Sequence, residues 1–224
     1  VAAASHELRT PLSVLLSAVS ACKMASPQEQ QGFFKIMEEE GASMSRLISD
    51  LLTLAQADEQ RFSMNFTDCA PDTLLLNLYE AYEAKAASLG YLLKIELPDT
   101  PLPTVQWDKD RIRQVLSILI ENAFAYTPKG SQITLSLFRK DRLIRLCVSD
   151  NGPGIPAEHR EQIFQRFYRE DPARSKNGHF GLGLSIAREL VSAHKGTIRV
   201  TEADGGGAKF IVSLPAVPIS GSFG

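Results

Sequence analysis

Three cysteines, Cys22, Cys69 and Cys147, are all that this chain of 224 residues holds. They lie far apart, form no C-x-x-C pair and leave one over, so neither a disulfide framework nor a zinc site is indicated and a reducing cytosol fits best. No apolar run approaches the roughly 18 residues that cross a bilayer, and no signal peptide precedes Val1. Positive charge is not in excess either: 24 Lys and Arg stand against 26 Asp and Glu, a formal net charge of -2. That leaves no basic surplus to grip a nucleic-acid backbone, so any phosphate must be held locally. An initiator methionine is missing, and Val1 reads as the interior of a helix. A fragment of a longer protein is therefore expected, with a membrane anchor among the things its N-terminal part can contain.

What is present is ordinary for a globular protein, with 44% hydrophobic and 22% charged residues. Residues 1–60 read as two helices joined around Ala25-Ser26-Pro27. Leu8, Leu12, Leu15, Val19 and Cys22 recur at steps of four and three, and Met37, Met44, Leu47, Leu51 and Leu54 repeat with heptad-like spacing. A lone hairpin is too small to bury both stripes, so two chains are expected to pair as a four-helix bundle, a homodimer.

From about Phe66 the period changes. Helices are predicted at about 72–89, 108–125 and 181–194, and strands at 91–97, 131–139, 142–149, 197–202 and 208–214. This α+β order predicts a mostly antiparallel sheet with helices on one face. The stretch between Ser149 and Gly181 is about thirty residues, rich in Gly, Pro, Arg and His, and reads as a lid or binding loop.

Near the N-terminus stands "SHELRTPL", residues 5–12. On a helix, His6 falls roughly 160° from the Leu8 stripe and faces solvent together with Thr10, while Glu7 lies to the side. Glu7 can orient the imidazole or accept its proton, leaving a ring nitrogen free as a nucleophile. Pro11 takes the helical partner from the carbonyl of Glu7, so a bend is expected there. A loop over SHELR, with Thr10 as N-cap and Pro11 first in the helix, is the alternative. Leu8 continues the stripe ahead of Pro11, which favours one bent helix.

The helix near 108–125 opens at Asp108, a good N-cap, and Ile118, Asn122 and Tyr126 form a column along the edge of its buried face, a natural pocket wall. Asn122 can offer an oxygen to Mg²⁺ or serve as an ordinary surface amide. "SDNGPGIP", residues 149–156, follows a strand with Asp150, Gly152 and Gly154; the carboxylate can accept from an exocyclic amine, although D-x-G-x-G is also a common turn. "GHFGLGLSIARELV", residues 178–191, sets Gly178, Gly181 and Gly183 at a helix start, where backbone donors can meet a phosphate; its spacing is neither a Walker loop nor a dinucleotide fingerprint. His159 and His194 read as surface or helix-end residues, Gly205-Gly206-Gly207 as a hairpin turn, and the tail from Pro215 as disordered.

In order, "SHELRTPL", "ENAFAYTP", "DNGPGIP", "IFQRFYR" and "GHFGLGLSIA" closely resemble the H, N, G1, F and G2 boxes of sensor histidine kinases of two-component systems. The resemblance covers nearly the whole chain. It implies a dimerisation and histidine phosphotransfer domain over 1–62, a catalytic ATP-binding domain over 66–215, and a flexible tail over 216–224. The fold implied is α+β, a dimeric four-helix bundle followed by a two-layer α/β sandwich of the GHKL (Bergerat) type shared with gyrase, the Hsp90 chaperones and MutL. The activity implied is that of a protein histidine kinase acting with ATP and Mg²⁺, with a response regulator receiver domain as partner, in the cytoplasmic part of a membrane-anchored bacterial sensor.

Carried over position by position, the resemblance makes His6 the phosphorylated residue, Glu7 its acid/base partner and Thr10 the residue that orients water in the phosphatase direction. It places Asn122 on Mg²⁺ and Asp150 on adenine, and adds Tyr126, Gly152, Gly154, Arg169, Lys176, Gly178, Gly181, Leu182 and Gly183 around the nucleotide, with Phe164 and Phe167 packing beneath the lid. Two positions depart from the family. Ile118 stands where a second asparagine is frequent, and Ala125 where a basic residue is frequent; Arg169, Lys176 or His179 are expected to compensate. Isoleucine at 118 also cannot activate water as a glutamate would, which favours transfer over ATP hydrolysis. The alternative is a degenerate kinase acting as a scaffold or as a phosphatase of its regulator.

Overall fold

The structure, a computed structural model, describes residues 2–59, 63–169 and 180–216. Helices α1 (Ala2–Cys22) and α2 (Pro27–Asp58) form the hairpin, and Pro11 lies inside α1. The continuous helix is therefore the reading that holds, with His6 in its second turn. Helix α2 begins with a capping box: the Ser26 backbone N–H donates to the Glu29 carboxylate at 2.9 Å, which satisfies a donor the helix start leaves free. The hairpin stripes are covered unevenly: Cys22, Leu47 and Leu54 are buried, but Leu12 is 44% exposed, and beside the stripes Leu16 is 57% and Leu52 60% exposed.

The rest of the chain is a sheet covered on one face. In order follow β1 (Thr67–Cys69), α3 (Pro71–Leu89), β2 (Leu92–Glu96), β3 (Val105–Trp107), α4 (Lys109–Tyr126), β4 (Gln132–Lys140), β5 (Leu143–Asp150), α5 (Gly183–Ala193), β6 (Thr197–Glu202) and β7 (Ala208–Pro215). Five strands make one sheet in the order β2-β4-β5-β7-β6; β2 runs parallel to β4 and every other pairing is antiparallel. The alternating residues Ile133, Leu135, Leu137 of β4 and Ile144, Leu146, Val148 of β5 are buried, and they join one core with Leu75 and Leu78 of α3, Ile112 to Ile120 of α4 and Ile186 and Leu190 of α5. Period two in the strands and three to four in the helices point all apolar side chains into one layer. Leu47 and Leu54 of α2 belong to the same core, and α2 contacts α5, so the second half of α2 packs on the sheet domain.

Strands β1 and β3 pair with each other as a small separate ribbon. At three residues each they are too short to show a period, and the sequence reading does not contain them. Trp107, the last residue of β3, is 2% exposed, and its Nε1 donates to the carbonyl of Pro215 at 3.3 Å. Order also extends further than expected at the C-terminus. Pro215 sits opposite Leu143 in the ladder, and the N–H of Ala216 donates to Arg142 at 2.8 Å; a proline at the end of a strand gives up a donor that the ladder no longer needs. The proposed tail beyond Ala216 lies outside the described residues.

Candidate functional site

Helix α4 starts where Asp108 caps it, its carboxylate accepting from the N–H of Arg111 at 3.1 Å. It stops at Thr127, held by Tyr91, whose hydroxyl lies 2.8 Å from the carbonyl of Phe124 and 2.9 Å from that of Thr127. Between these ends, Ile118, Asn122 and Tyr126 line a cleft of about 800 Å³. The column read from the sequence is thus a pocket wall. The half-buried amide of Asn122 makes no hydrogen bond among the described residues, an unspent polar group facing open space.

Opposite α4, the cleft is bounded by Gly181, Gly183 and Leu184 at the start of α5 and by Ile163, Tyr168 and Phe180 of the preceding loop. Glycine is needed here for two separate reasons. Gly181 has φ +70, and a Cβ on it would lie 2.7 Å from the carbonyl oxygen of Tyr168. A Cβ on Gly183 would lie 3.1 Å from the Cγ2 of Ile118, so Ile118 packs directly on the α5 start. Leu182, between them, is buried at 1% exposure and faces the core. Phe167 adopts φ 63, rare for a bulky residue, and its N–H donates to Gly181 at 2.9 Å, which ties the F segment to the glycine turn. Phe164 is buried in a T-shaped contact with Phe210, and the Arg188 guanidinium lies over its ring, 5.1 Å from the centroid.

Asp150, Gly152 and Gly154 are not among the cleft-lining residues but abut its end. The Oδ1 of Asp150 accepts from the N–H of Gly152 at 2.9 Å and of Ala208 at 3.3 Å; its other oxygen accepts nothing among the described residues. A Cβ on Gly152 would meet that same Oδ1 at 2.9 Å and the Oγ1 of Thr127 at 3.1 Å, so the D-x-G turn closes against the last turn of α4. Gly154 has φ +76 beside Gly207.

His6 and Thr10 are exposed on α1, and the imidazole of His6 has no partner among the described residues. The carboxylate of Glu7 lies 3.7 Å from the guanidinium of Arg169, the residue after cleft-lining Tyr168. A second bracket joins the same segment to α2, with both terminal nitrogens of Arg166 on the carboxylate of Asp58 at 2.8 and 2.5 Å. Arg166 holds that carboxyl below its usual range. Arg169 thus engages Glu7 and is not a cleft-lining residue, while Lys176, Gly178 and His179 lie outside the described residues.

Several site residues have no warning in the sequence. Arg46, Ser49 and Asp50 of α2 line the cleft from the hairpin side, as do Lys85 of α3 and Lys129 after α4. Lys85 is paired with Glu121. Asp50 is pushed up to about 6 by burial, against the pull of Arg46. His159 closes the short 3-10 turn Ala157–His159, a helix end as expected, and is half-buried with its Nδ1 2.8 Å from the Tyr168 hydroxyl. His194 stands at a helix end as expected but is buried, not on the surface; the buried N–H of Asp108 needs an acceptor, which its Nε2 supplies at 3.1 Å.

Residues 107–218 match the family described as histidine kinase-, DNA gyrase B- and HSP90-like ATPase, and residues 1–60 match the His Kinase A (phospho-acceptor) domain. The chain is 32% identical over 212 residues to the signal transduction histidine-protein kinase BaeS of Escherichia coli K12, covering 94% of this chain and 45% of that protein. The chain spans less than half the length of such relatives. Among solved structures, histidine kinase AdeS of Acinetobacter baumannii superposes with a TM-score of 0.77 at 26% identity, covering 94% of this chain and 98% of the other. Histidine kinase ThkA in complex with response regulator protein TrrA gives 0.75 at 25% identity, covering 95% and 60%.

Proposed function

The chain belongs to the sensor histidine kinases of two-component systems, of which it carries the phospho-acceptor and ATPase-like modules, and from that premise we propose that it transfers the γ-phosphoryl group of ATP to His6 and thence to an aspartate of a response regulator. The observation that carries this reading is the Glu7–Arg169 pair, which brings the turn bearing His6 to the rim of the cleft whose next residue is Tyr168. Phosphoryl transfer asks mainly for positioning and charge neutralisation, and both halves of the site meet here.

The nucleotide base is assigned to the Asp150 end, where one carboxylate oxygen accepts no hydrogen bond among the described residues, and the phosphates to the stretch between Asn122 and the Gly181–Gly183 turn. The unspent amide of Asn122 suits Mg²⁺, which it would hold through its oxygen and which would supply charge neutralisation for the phosphates. One ring nitrogen of His6 attacks the γ-phosphorus, the bond to the bridging oxygen breaks, and ADP departs. The proton on the other ring nitrogen passes to Glu7 once Arg169 releases its carboxylate. In the second step an aspartate oxygen of the regulator displaces the histidine nitrogen from phosphorus. Residues 1–62 and 66–215 are the corresponding domains, two copies pair through the apolar faces of α1 and α2, and the regulator docks on the exposed face around His6. A longer membrane-anchored sensor is the setting we assign; among the described residues no helix is long and apolar enough to cross a membrane.

A second reading has an observation of its own. Ile118 fills with methyl groups the space beside Gly183 where the family often carries an amide, which suits a weak kinase serving mainly as phosphatase, with Thr10 orienting water, or as scaffold. Incubation with γ-labelled ATP and Mg²⁺, beside His6→Ala, separates the two. Acid-labile, base-stable label that is lost in the variant supports the kinase; a folded dimer that takes up no label supports the second reading.

A further inference from the structure

The cleft has a wall that neither the motifs nor the family pattern assigns. Arg46, Ser49 and Asp50 of α2, spaced as one helical face, line it together with Asn122, Gly181 and Gly183. We propose that Arg46 is a positioning residue for the terminal phosphates of the bound nucleotide, supplied by the hairpin to a cleft otherwise built by the sheet domain. The inference rests on the assignment of that cleft to ATP.

Three arguments support it. The first is charge. With Ala125 in place of a basic residue, the middle of α4 offers no cation of its own, and Lys85 is already paired with Glu121. Lys129 follows the C-terminus of α4, at the end given to the base. Arg46 makes no hydrogen bond or close ion pair among the described residues, and the charge it is seen to act on is that of Asp50, one turn along the same helix. A guanidinium with its donors unspent, facing a cleft that receives several phosphate oxygens, is suited to hold two of them at once.

The second is height along the hairpin. The two helices run antiparallel from the turn at Lys23–Ser26, where the Gln30 side chain reaches back to the Cys22 carbonyl. His6 lies sixteen residues before the end of α1 at Cys22, and Arg46 nineteen after the start of α2 at Pro27. At about 1.5 Å per residue the two stand within about 5 Å of the same level, or one helical turn. The phosphate closest to the acceptor is therefore also the one nearest the level of Arg46.

The third is the neighbour. Asp50 shares the wall and carries the opposite charge, so it opposes the same ligand. Variants at the two positions are predicted to move nucleotide affinity in opposite directions, which a general loosening of the helix does not do.

The test is a titration of the whole chain with MgATP and with MgADP, read by a fluorescent nucleotide displaced from the cleft, with thermal melting alongside. Arg46→Gln is expected to weaken ATP by about tenfold, the order of one lost charged hydrogen bond, and ADP by clearly less. Arg46→Lys is expected to recover part of the loss, and Asp50→Asn to tighten ATP by about threefold. An Arg46→Gln chain that binds ATP within twofold of wild type overturns the inference and leaves the cleft assignment standing. Equal losses for ATP and ADP, unrelieved by lysine, overturn it in favour of a structural role. A folded wild-type chain that binds neither nucleotide defeats the cleft assignment itself.

Discussion

His194 accepts the backbone N–H of Asp108 through Nε2 at 3.1 Å while its Nδ1 lies 2.7 Å from the carbonyl of Leu190. Only one arrangement of the proton satisfies both contacts: Nδ1–H donates to Leu190, Nε2 is bare, and the ring is neutral. It fastens the end of α5 to the start of α4, the two helices that form opposite walls of the cleft.

Burial lowers the pKa of His194 from its ordinary 6.5. Above that value the ring is neutral in both folded and unfolded chains and contributes no pH dependence. As pH falls below it, the unfolded chain binds a proton that the folded one resists, so stability declines toward the lowered folded value. Denaturant melts at pH 7.5 and 5.5 are expected to show a loss at the lower pH that His194→Ala largely abolishes. The substitution itself costs about 2 to 4 kcal/mol at pH 7.5, since it leaves a buried N–H unmet and a cavity.

Asp50 behaves oppositely. Burial pushes its carboxyl up to about 6 from an ordinary 3.8, so the folded chain holds the proton that the unfolded one releases. Its destabilising effect is absent below pH 3.8 and complete above about 6. Asp50→Asn is expected to raise stability at pH 7.5 by about 1 kcal/mol, the nominal effect of about 3 being discounted for solvent screening of a half-buried group, and to change nothing at pH 3.5. A variant no more stable than wild type at neutral pH removes this account.

Gly183 and Ile118 are coupled by the 3.1 Å approach of Ile118 to the absent Cβ. Gly183→Ala alone is expected to destabilise by about 1 to 2 kcal/mol through overpacking. Ile118→Val beside it should recover about half, giving a coupling of at least about 0.5 kcal/mol in a double-mutant cycle. Strict additivity counts against the contact.

The hairpin predictions concern association. Leu16 and Leu52, more than half exposed in the single chain, are placed at the face between copies. Leu16→Lys with Leu52→Lys is expected to convert a dimer to a monomer in sedimentation velocity, with the sheet domain still folded. A wild-type monomer at tens of micromolar, or a dimer that survives both charges, refutes the pairing.

The sequence was most readable where a period runs long. Helix α4, with its cap at Asp108 and its column at Ile118, Asn122 and Tyr126, could be drawn to within a residue, because eighteen residues leave little doubt about a 3.6 repeat. Strands β4 to β7 followed for the same reason at period two. The ribbon of β1 and β3 was hidden, since three residues carry no period. The helix-end position of His194 was legible but its burial was not, because nothing local shows that Asp108, eighty-six residues away in sequence, needs an acceptor. The site divided along the same line. Motif residues carried their own spacing, whereas Arg46 and Asp50 sit on the polar side of an amphipathic helix, where solvent exposure is the default expectation until another domain is laid against it.

The burial of Trp107 has an optical consequence. It is the chain's single tryptophan, and the five tyrosines, at 79, 82, 91, 126 and 168, also fall outside the hairpin. Absorbance at 280 nm and the tryptophan and tyrosine emission therefore come from the half of the molecule that holds the sheet. Melting of that half shows as a red-shifted tryptophan spectrum, while separation or fraying of α1 and α2 passes nearly unseen. The sheet half can be followed without any label by its fluorescence, and because far-ultraviolet dichroism reports the helices of both halves, a dichroic change without a fluorescence change belongs to the hairpin.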